Sequence, residues 1–152
     1  VTPTIPVVLH ALEWLLSQGI RIDYFCIMYS NPFITAENVV KAFELLKEKK
    51  VASVIPVATY AFPILRSFRI KEQGNIEFAF PEYAAYRSQD LPETCHDVGQ
   101  FYWCHGPQFL ESEAILQEDT LPFFVPRHLT QDLDTIEDWE MAERLYQTFM
   151  RK

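Results

Sequence analysis

Asp132 and Asp134 are the strongest candidates for chemistry in this sequence. They flank one leucine, just before a predicted helix and after a predicted strand. Residues two apart on an extended segment point the same way, so both carboxylates could face one cation. Mg²⁺ is commonly held by one or two protein carboxylates together with substrate phosphates. The pair therefore predicts a magnesium site, and the alternative is a solvated acidic turn before a capped helix.

Two arginines are candidates for binding an acidic sugar. Arg66 and Arg87 lie in a stretch that has no clear hydrophobic period. The guanidinium group suits bidentate recognition of a carboxylate. The alternative, which spacing alone favours, is surface pairing with some of the 21 acidic side chains.

The cysteines and histidines predict neither zinc binding nor covalent catalysis. The pairs Cys95-His96 and Cys104-His105 match no common zinc spacing. We expect buried thiols here, with histidines that are exposed or satisfied by protein partners. No G-x-S-x-G motif is present, and the four glycines are too scattered to form a phosphate-binding loop.

Composition restricts the class of protein. The 152 residues are 49% hydrophobic and carry a net charge of −8 without a basic cluster. We therefore expect one globular domain that does not bind nucleic acid through its phosphates. No apolar run could span a bilayer and no signal peptide is recognisable, so a cytoplasmic enzyme without membrane contact is expected. The chain starts Val-Thr-Pro, which predicts that the natural N-terminus lies further upstream.

Alternating helix and strand patterns predict an α/β fold. The spacing of two strands around a helix favours a right-handed βαβ unit in a parallel sheet. The predicted elements are a helix capped by Thr4 and ended by Gly19, a strand over 23–28, a helix from Thr35 to about Lys49, and a strand over 51–58 with Pro56 near its end or at a bulge. The expected buried stripe of the first helix is Val7, Val8, Ala11, Leu12, Leu15 and Leu16.

The remainder of the chain predicts a hairpin, two strands and a final helix. The polar turn 72–75 separates the two arms of the hairpin, within an excursion from the sheet. Strands are expected over 101–103 and 123–125. Thr135 begins an approximate capping box for the last helix, whose expected inward residues are Trp139, Ala142, Leu145 and Phe149.

Several motifs resemble the sugar-acid cytidylyltransferase family. The segment 131–139 reads QDLDTIEDW and looks like the family signature DIDT-x-EDW. The segments 87–92 (RSQDLP) and 96–103 (HDVGQFYW) are similar to the pseudaminic acid branch in particular, whereas the acylneuraminate branch usually has NGAIY there. The opening 2–11 and the segment 63–66 also fit, so the resemblance covers essentially the whole chain.

The resemblance implies a nucleotide-diphospho-sugar transferase fold. This is a Rossmann-like, three-layer α/β/α sandwich with a mostly parallel sheet. Residues 1–152 would form a single cytidylyltransferase domain without its first strand and nucleotide loop. The excursion over about 66–103 would form a homodimer contact and part of the sugar site, so that Arg87 could act across the interface.

The implied reaction transfers CMP from CTP to a nine-carbon α-keto acid sugar and releases pyrophosphate. By position, Asp132 and Asp134 match the catalytic metal aspartates, with Mg²⁺ as cofactor. Thr4 matches a nucleotide contact, although a helix cap is an equal alternative. The matches to sugar-binding positions are Arg66, Arg87, Gln89, Gln100 and Tyr102.

Two departures from the family pattern leave alternatives open. The first strand and glycine-containing nucleotide loop are missing, so we expect this chain alone to be inactive. Met28 stands where the acylneuraminate branch often has a glutamine that contacts the sugar, which weakens a sialic acid assignment and leaves the exact sugar open. A non-catalytic dimeric domain of the same fold is the third alternative.

Overall fold

The computed structural model describes residues 3–150, and its elements follow the predicted order. They are α1 (Thr4–Ser17), β1 (Tyr24–Met28), α2 (Ala36–Lys49), β2 (Ser53–Thr59), β3 (Phe68–Ile70), β4 (Ile76–Phe78), β5 (Cys95–Asp97), β6 (Phe101–His105), α3 (Gly106–Ser112), β7 (Leu121–Phe124) and α4 (Ile136–Phe149). Short 3₁₀ turns join several of them. The α/β class is therefore confirmed.

The main sheet is mixed, so the predicted mostly parallel sheet is wrong for the described strands. β2 is central, with β5 and β6 along one edge and parallel β7 along the other. β6 is antiparallel to both β1 and β2 and lies between them. β1 and β2 thus run in the same direction, as the βαβ pattern requires, but they are not neighbours. The strand–helix–strand pattern predicts that β1 and β2 are parallel, because a helix connects them. It does not reveal that another strand, β6, lies between them.

A local shift of register separates β5 from β6 on the edge of β2. Val57 faces Asp97 and Ser53 faces Cys104, so the β5–β6 side contains extra residues. The extra residues lie around Gly99, whose φ of +59° suits glycine. Pro56 lies within β2 at this point, and its carbonyl accepts the Val98 N–H at 3.4 Å. Pro56 is thus at a bulge, as predicted.

The core lies on both faces of the sheet. On one face, Ala42 and Leu46 of α2 pack against Val54 and Phe101. On the other face, Leu12 of α1 packs with strand and α3 side chains. These two layers of helix against a central sheet hold the strand ends that form the site.

The buried faces of α1 and α4 differ from the predicted ones. The α1 residues in the core are Ile5, Val8, Leu9 and Leu12, whereas Val7, Ala11 and Leu16 of the predicted stripe are exposed. In α4 only Ala142 is buried, Leu145 is half-buried, and Trp139 and Phe149 are exposed. Both helices present apolar residues on more than one side, so periodicity alone does not select the inward side.

The helix starts are largely as predicted. The Thr35 hydroxyl accepts the Asn38 N–H and caps α2. Thr135 and Asp138 form a reciprocal capping box at α4, and these hydrogen bonds lower the pKa of the Asp138 carboxyl. Thr4 is different, because it is the first helical residue of α1 and Pro3 occupies the cap position without a side-chain hydrogen bond.

The predicted hairpin is confirmed as a separate two-stranded sheet of β3 and β4. Its cross-strand pairs include Phe68 with Phe78 and Ile70 with Ile76, which alternation places on one face. Ile70 and Ile76 are 79% and 62% exposed. The hairpin thus has an apolar face without a partner in the described chain.

No helix in residues 3–150 is long and apolar enough to cross a bilayer.

Substitution of Leu46 by alanine should destabilise the fold by about 2–5 kcal/mol, because the side chain is fully buried between α2 and the sheet. Denaturant unfolding followed by circular dichroism measures this change. Val40→Ala, on the exposed side of the same helix, is the matched control and should shift stability by only about 0.5 kcal/mol. Equal effects from the two variants would contradict the assigned core.

Candidate active site

A cleft of about 390 Å³ opens where β1, the β5–β6 bulge and the loop before α4 meet. The first two segments supply polar groups at or beside strand ends, and the third supplies Asp132 from the loop between β7 and α4. Its lining residues are Tyr29, Ser30, Asp97, Gly99, Tyr102, Asp132 and Leu133. Two predicted site residues, Asp132 and Tyr102, therefore lie together although 30 positions separate them in the sequence.

Asp97 and Tyr102 are directly hydrogen bonded inside this cleft. The Tyr102 hydroxyl donates to one carboxylate oxygen of Asp97, and the Gly99 N–H donates to the other at 2.9 Å. Burial, followed by the bond to Asp97, raises the pKa of Tyr102 well above its ordinary value. Tyr102 therefore stays protonated and its proton is directed at Asp97.

Asp132 lies against the glycine of the bulge. A β-carbon placed on Gly99 would be 3.6 Å from Asp132 Oδ2 and 3.7 Å from Oδ1. Asp132 Oδ1 accepts the Leu133 N–H at 3.0 Å, and the side chain is otherwise exposed to the cleft. This carboxylate is therefore available to a ligand.

Asp134 lies outside the lining of the cleft. It directly precedes Thr135, the residue that caps α4. The chain bends at Asp134, so the extended geometry expected for the pair is interrupted after Leu133. Within residues 3–150 no group of three or more His, Cys, Asp or Glu side chains is arranged to hold a metal ion. A shared cation between Asp132 and Asp134 stays a prediction.

Three amide side chains fix the loop that presents Asp132. Asn31 Nδ2 donates to the Gln131 carbonyl at 3.2 Å, and Gln131 Nε2 donates to Asp138 at 2.9 Å. Gln100 Nε2 donates to the Leu129 carbonyl at 2.6 Å. Gln100 is 0% exposed, so its amide contacts the protein interior in this structure, and a sugar contact by Gln100 stays a prediction without support from the geometry.

Tyr29 connects the predicted nucleotide contact with the predicted sugar contact. Its hydroxyl donates to the Thr4 hydroxyl at 3.5 Å, and its ring lies edge-on to that of Tyr102 with centroids 5.3 Å apart. The Tyr29 N–H donates to the Gln100 carbonyl at 3.0 Å, which holds this wall of the cleft to the bulge. Neighbouring polar side chains therefore form a continuous series of contacts, from Thr4 through Tyr29 and Tyr102 to Asp97.

The remaining predicted sugar residues lie elsewhere on the same chain. Arg87 makes a bidentate ion pair with Asp90 at 2.7 and 3.0 Å, and Arg66 donates to the Tyr86 carbonyl at 3.2 Å. Gln89 lines a different cavity, of about 240 Å³. Within the described part of the chain, no basic side chain lines the cleft of Asp132.

Sequence reasoning missed Asp97, Tyr29 and Ser30 as site residues. Asp97 had a usable signal, because an Asp two residues before a glycine commonly forms a turn at a strand end. Tyr29 and Ser30 follow a buried strand, but nothing in their spacing ties them to Asp132. The bulge and the inserted strand bring these distant residues together.

Comparison with known proteins bears directly on this cleft. No family model matches the chain. The chain is 31% identical over 141 residues to a pseudaminic acid cytidylyltransferase of Campylobacter jejuni serotype O:2, covering 92% of this chain and 61% of that protein. The resemblance to cytidylyltransferases is confirmed.

Further relatives agree with this cytidylyltransferase likeness. A second pseudaminic acid cytidylyltransferase, from C. jejuni serotype O:23/36, is 30% identical over 90% of this chain and 60% of its own length. A Helicobacter pylori protein named pseudaminic acid cytidylyltransferase and UDP-2,4-diacetamido-2,4,6-trideoxy-beta-L-altropyranose hydrolase is 24% identical over 86% of this chain and 25% of its own. The chain thus spans about three fifths of the C. jejuni relatives that it matches. Because 92% of the chain aligns, the cleft residues fall within the shared region.

Among the described residues, no cysteine lines the cleft of Asp132. Burial raises the pKa of the Cys26 thiol to about 11 and that of Cys104 to about 12, whereas Cys95 is exposed. The expectation of buried thiols therefore holds for Cys104, Cys26 is half-buried, and Cys95 is an exception.

Iodoacetamide at neutral pH should label Cys95 and spare Cys26 and Cys104, because the thiolate reacts and burial disfavours it. Labelling of Cys26 should rise only as the pH approaches its pKa of about 11. Peptide mass spectrometry of folded and urea-unfolded protein measures this, with all three thiols labelled in the unfolded control. Equal labelling of the three in the folded protein would contradict the structure.

Proposed function

We propose that this chain is part of an enzyme that transfers CMP from CTP to pseudaminic acid. The observation that supports this most is the meeting of Asp132 and Tyr102, two residues of the family motifs, in one cleft. The sugar is taken from the names of the C. jejuni relatives, which are both pseudaminic acid cytidylyltransferases. The activity is that of the whole protein, of which this chain provides the cleft described above.

The proposed reaction is an in-line displacement at the α-phosphate. The oxygen of the sugar's anomeric hydroxyl forms a bond to the α-phosphorus while the bond between that phosphorus and the pyrophosphate oxygen breaks. The hydroxyl proton is released. The fixed walls of the cleft would hold the two reactants in attacking geometry, which supplies much of the rate enhancement of such reactions. Tyr29 and Ser30 on one wall and Asp132 on the other are held by backbone and amide contacts suited to this task.

Asp132 fits the role of holding Mg²⁺. Its carboxylate is exposed to the cleft and keeps one oxygen free of protein hydrogen bonds. Mg²⁺ takes few protein carboxylates and completes its shell with phosphate oxygens and water. When bound, the ion neutralises charge on the phosphates during displacement. Asp134 is the proposed second carboxylate, since it is two residues away and exposed.

A homodimer would supply the positive charge that the described lining of the cleft lacks. An acidic sugar and a triphosphate are anions, and the described lining contains two carboxylates and no basic group. We propose that Arg87, Arg66 and Gln89 of the excursion over about 66–103 reach the cleft of a second copy. The apolar face of the β3–β4 hairpin is the surface proposed to bury itself in that contact.

Pyrophosphate release by the full-length protein tests the function and the role of Asp132. With CTP, Mg²⁺ and pseudaminic acid, we expect turnover that falls at least about 100-fold in Asp132→Ala and in Asp134→Ala, because the phosphate charge loses its counter-ion support. The control Glu118→Gln removes an exposed carboxylate outside the cleft and should leave turnover unchanged. Circular dichroism checks that all variants fold.

Other results of this assay would select a different function. Turnover with N-acetylneuraminate and none with pseudaminic acid would assign the chain to the N-acylneuraminate type. No turnover with either sugar, from a folded protein, would favour a non-catalytic dimeric domain. Full activity of Asp132→Ala would remove the metal assignment, and full activity of Asp134→Ala would restrict it to Asp132.

The dimer proposal predicts that Ile70→Lys together with Ile76→Lys gives a monomer, because two ammonium groups cannot be buried in an apolar contact. Sedimentation velocity measures the mass of the full-length protein and of the variant. Val40→Lys, an apolar-to-lysine change at another exposed position, should leave the dimer intact. A monomeric unsubstituted protein would refute the proposal.

A further inference from the structure

We infer that Asp97 and Tyr102 form a hydrogen-bond-accepting end of the cleft that receives N–H or O–H groups of the sugar. Asp97 is thereby a specificity-determining residue. This inference rests on the proposed function, and it assigns a role to Asp97, which lies in the segment 96–103 but is not among the predicted sugar-binding residues.

The direction of the bond between the two residues supports this polarity. A carboxylate can only accept, so the Tyr102 hydroxyl must donate to it. With its proton used in this way, Tyr102 has only lone pairs to offer to a ligand. Tyr102 is 9% exposed and lines this cleft as well as a second cavity of about 580 Å³, so the cleft is one of two sides from which a ligand can reach it.

Asp97 retains capacity for a ligand after its internal bonds are counted. The two carboxylate oxygens together have about four acceptor positions. The Gly99 N–H and the Tyr102 hydroxyl occupy two of them. The residue is exposed at the cleft, so the other positions face solvent or ligand rather than protein.

The negative charge of Asp97 keeps the carboxylate of the sugar away from this end of the cleft. Asp97 and Asp132 lie on either side of Gly99, one bonded to its N–H and the other 3.6 Å from the position of its missing β-carbon. A sugar carboxylate placed against Asp97 would meet a like charge, whereas Asp132 on the other side is the proposed ligand of a cation. The amide and hydroxyl groups of the sugar are consequently the ones that face Asp97, and its carboxylate points elsewhere.

The substitution Asp97→Asn separates this role from a structural one. The new amide oxygen can still accept the Gly99 N–H and keep the turn, while its NH₂ donates to the Tyr102 oxygen. The Tyr102 hydrogen is then released toward the cleft, so an accepting end becomes a donating end with little change of shape. Tyr102→Phe removes the hydroxyl altogether.

Calorimetric titration of the full-length protein with pseudaminic acid, and separately with CTP, is the test. Asp97→Asn and Tyr102→Phe should each weaken sugar binding by about 10- to 100-fold, as expected for a lost hydrogen bond to a charged group or a mismatched donor. CTP affinity and the thermal midpoint should be unchanged. The double variant should bind the sugar no more weakly than the single variant with the larger loss, because both substitutions act through the same hydrogen bond. Glu118→Gln is the isosteric control.

Three results would overturn the inference. The first is that Asp97→Asn binds the sugar as tightly as the unsubstituted protein. The second is that Asp97→Asn loses affinity for the sugar and for CTP equally and also has a lowered thermal midpoint. No sugar binding by the unsubstituted protein would overturn the inference and the proposed function together. Selective loss of sugar binding in Asp97→Asn, with no CMP transfer by the unsubstituted protein, would sustain the inference and refute the proposed function.

Discussion

The bulge between β5 and β6, opposite Pro56, is the constraint on which the site depends. Pro56 offers no N–H at the point where the neighbouring strand shifts register. The extra residues around Gly99 leave the ladder, and this brings Asp97 and Tyr102 within hydrogen-bonding distance. Without the shift, strand alternation would set the spacing of these two side chains, and the floor of the cleft would be closed by a regular ladder.

The charge of the cleft determines what the rest of the molecule must supply. Two carboxylates face a space proposed to receive anionic reactants, and the described lining adds no cation. A divalent ion and arginines from a second copy are the sources of positive charge that we propose. The position of Arg87, paired with Asp90 on an exposed turn, suits a group that exchanges one carboxylate partner for another.

Local patterns predicted the elements well and their buried faces less well. Thr35 and the Thr135–Asp138 capping box were readable because their hydrogen bonds lie within four residues. Trp139 and Phe149 were wrong as core residues because α4 has aromatic residues on more than one side and only tertiary packing selects among them. The mostly parallel sheet was wrong because β6 joins β1 to β2 from far along the chain.

By itself, the sequence determined the α/β class, the helix caps, the hairpin and the family resemblance, since each depends on neighbouring residues or on a motif of fixed spacing. Tertiary structure alone decided that Asp97 and Tyr29 join Tyr102 and Asp132, and that Asp134 and Gln100 lie outside the cleft lining. The physical reason is that a site formed from three separate segments depends on strand order and register, which arise from long-range pairing and burial and leave no local periodicity.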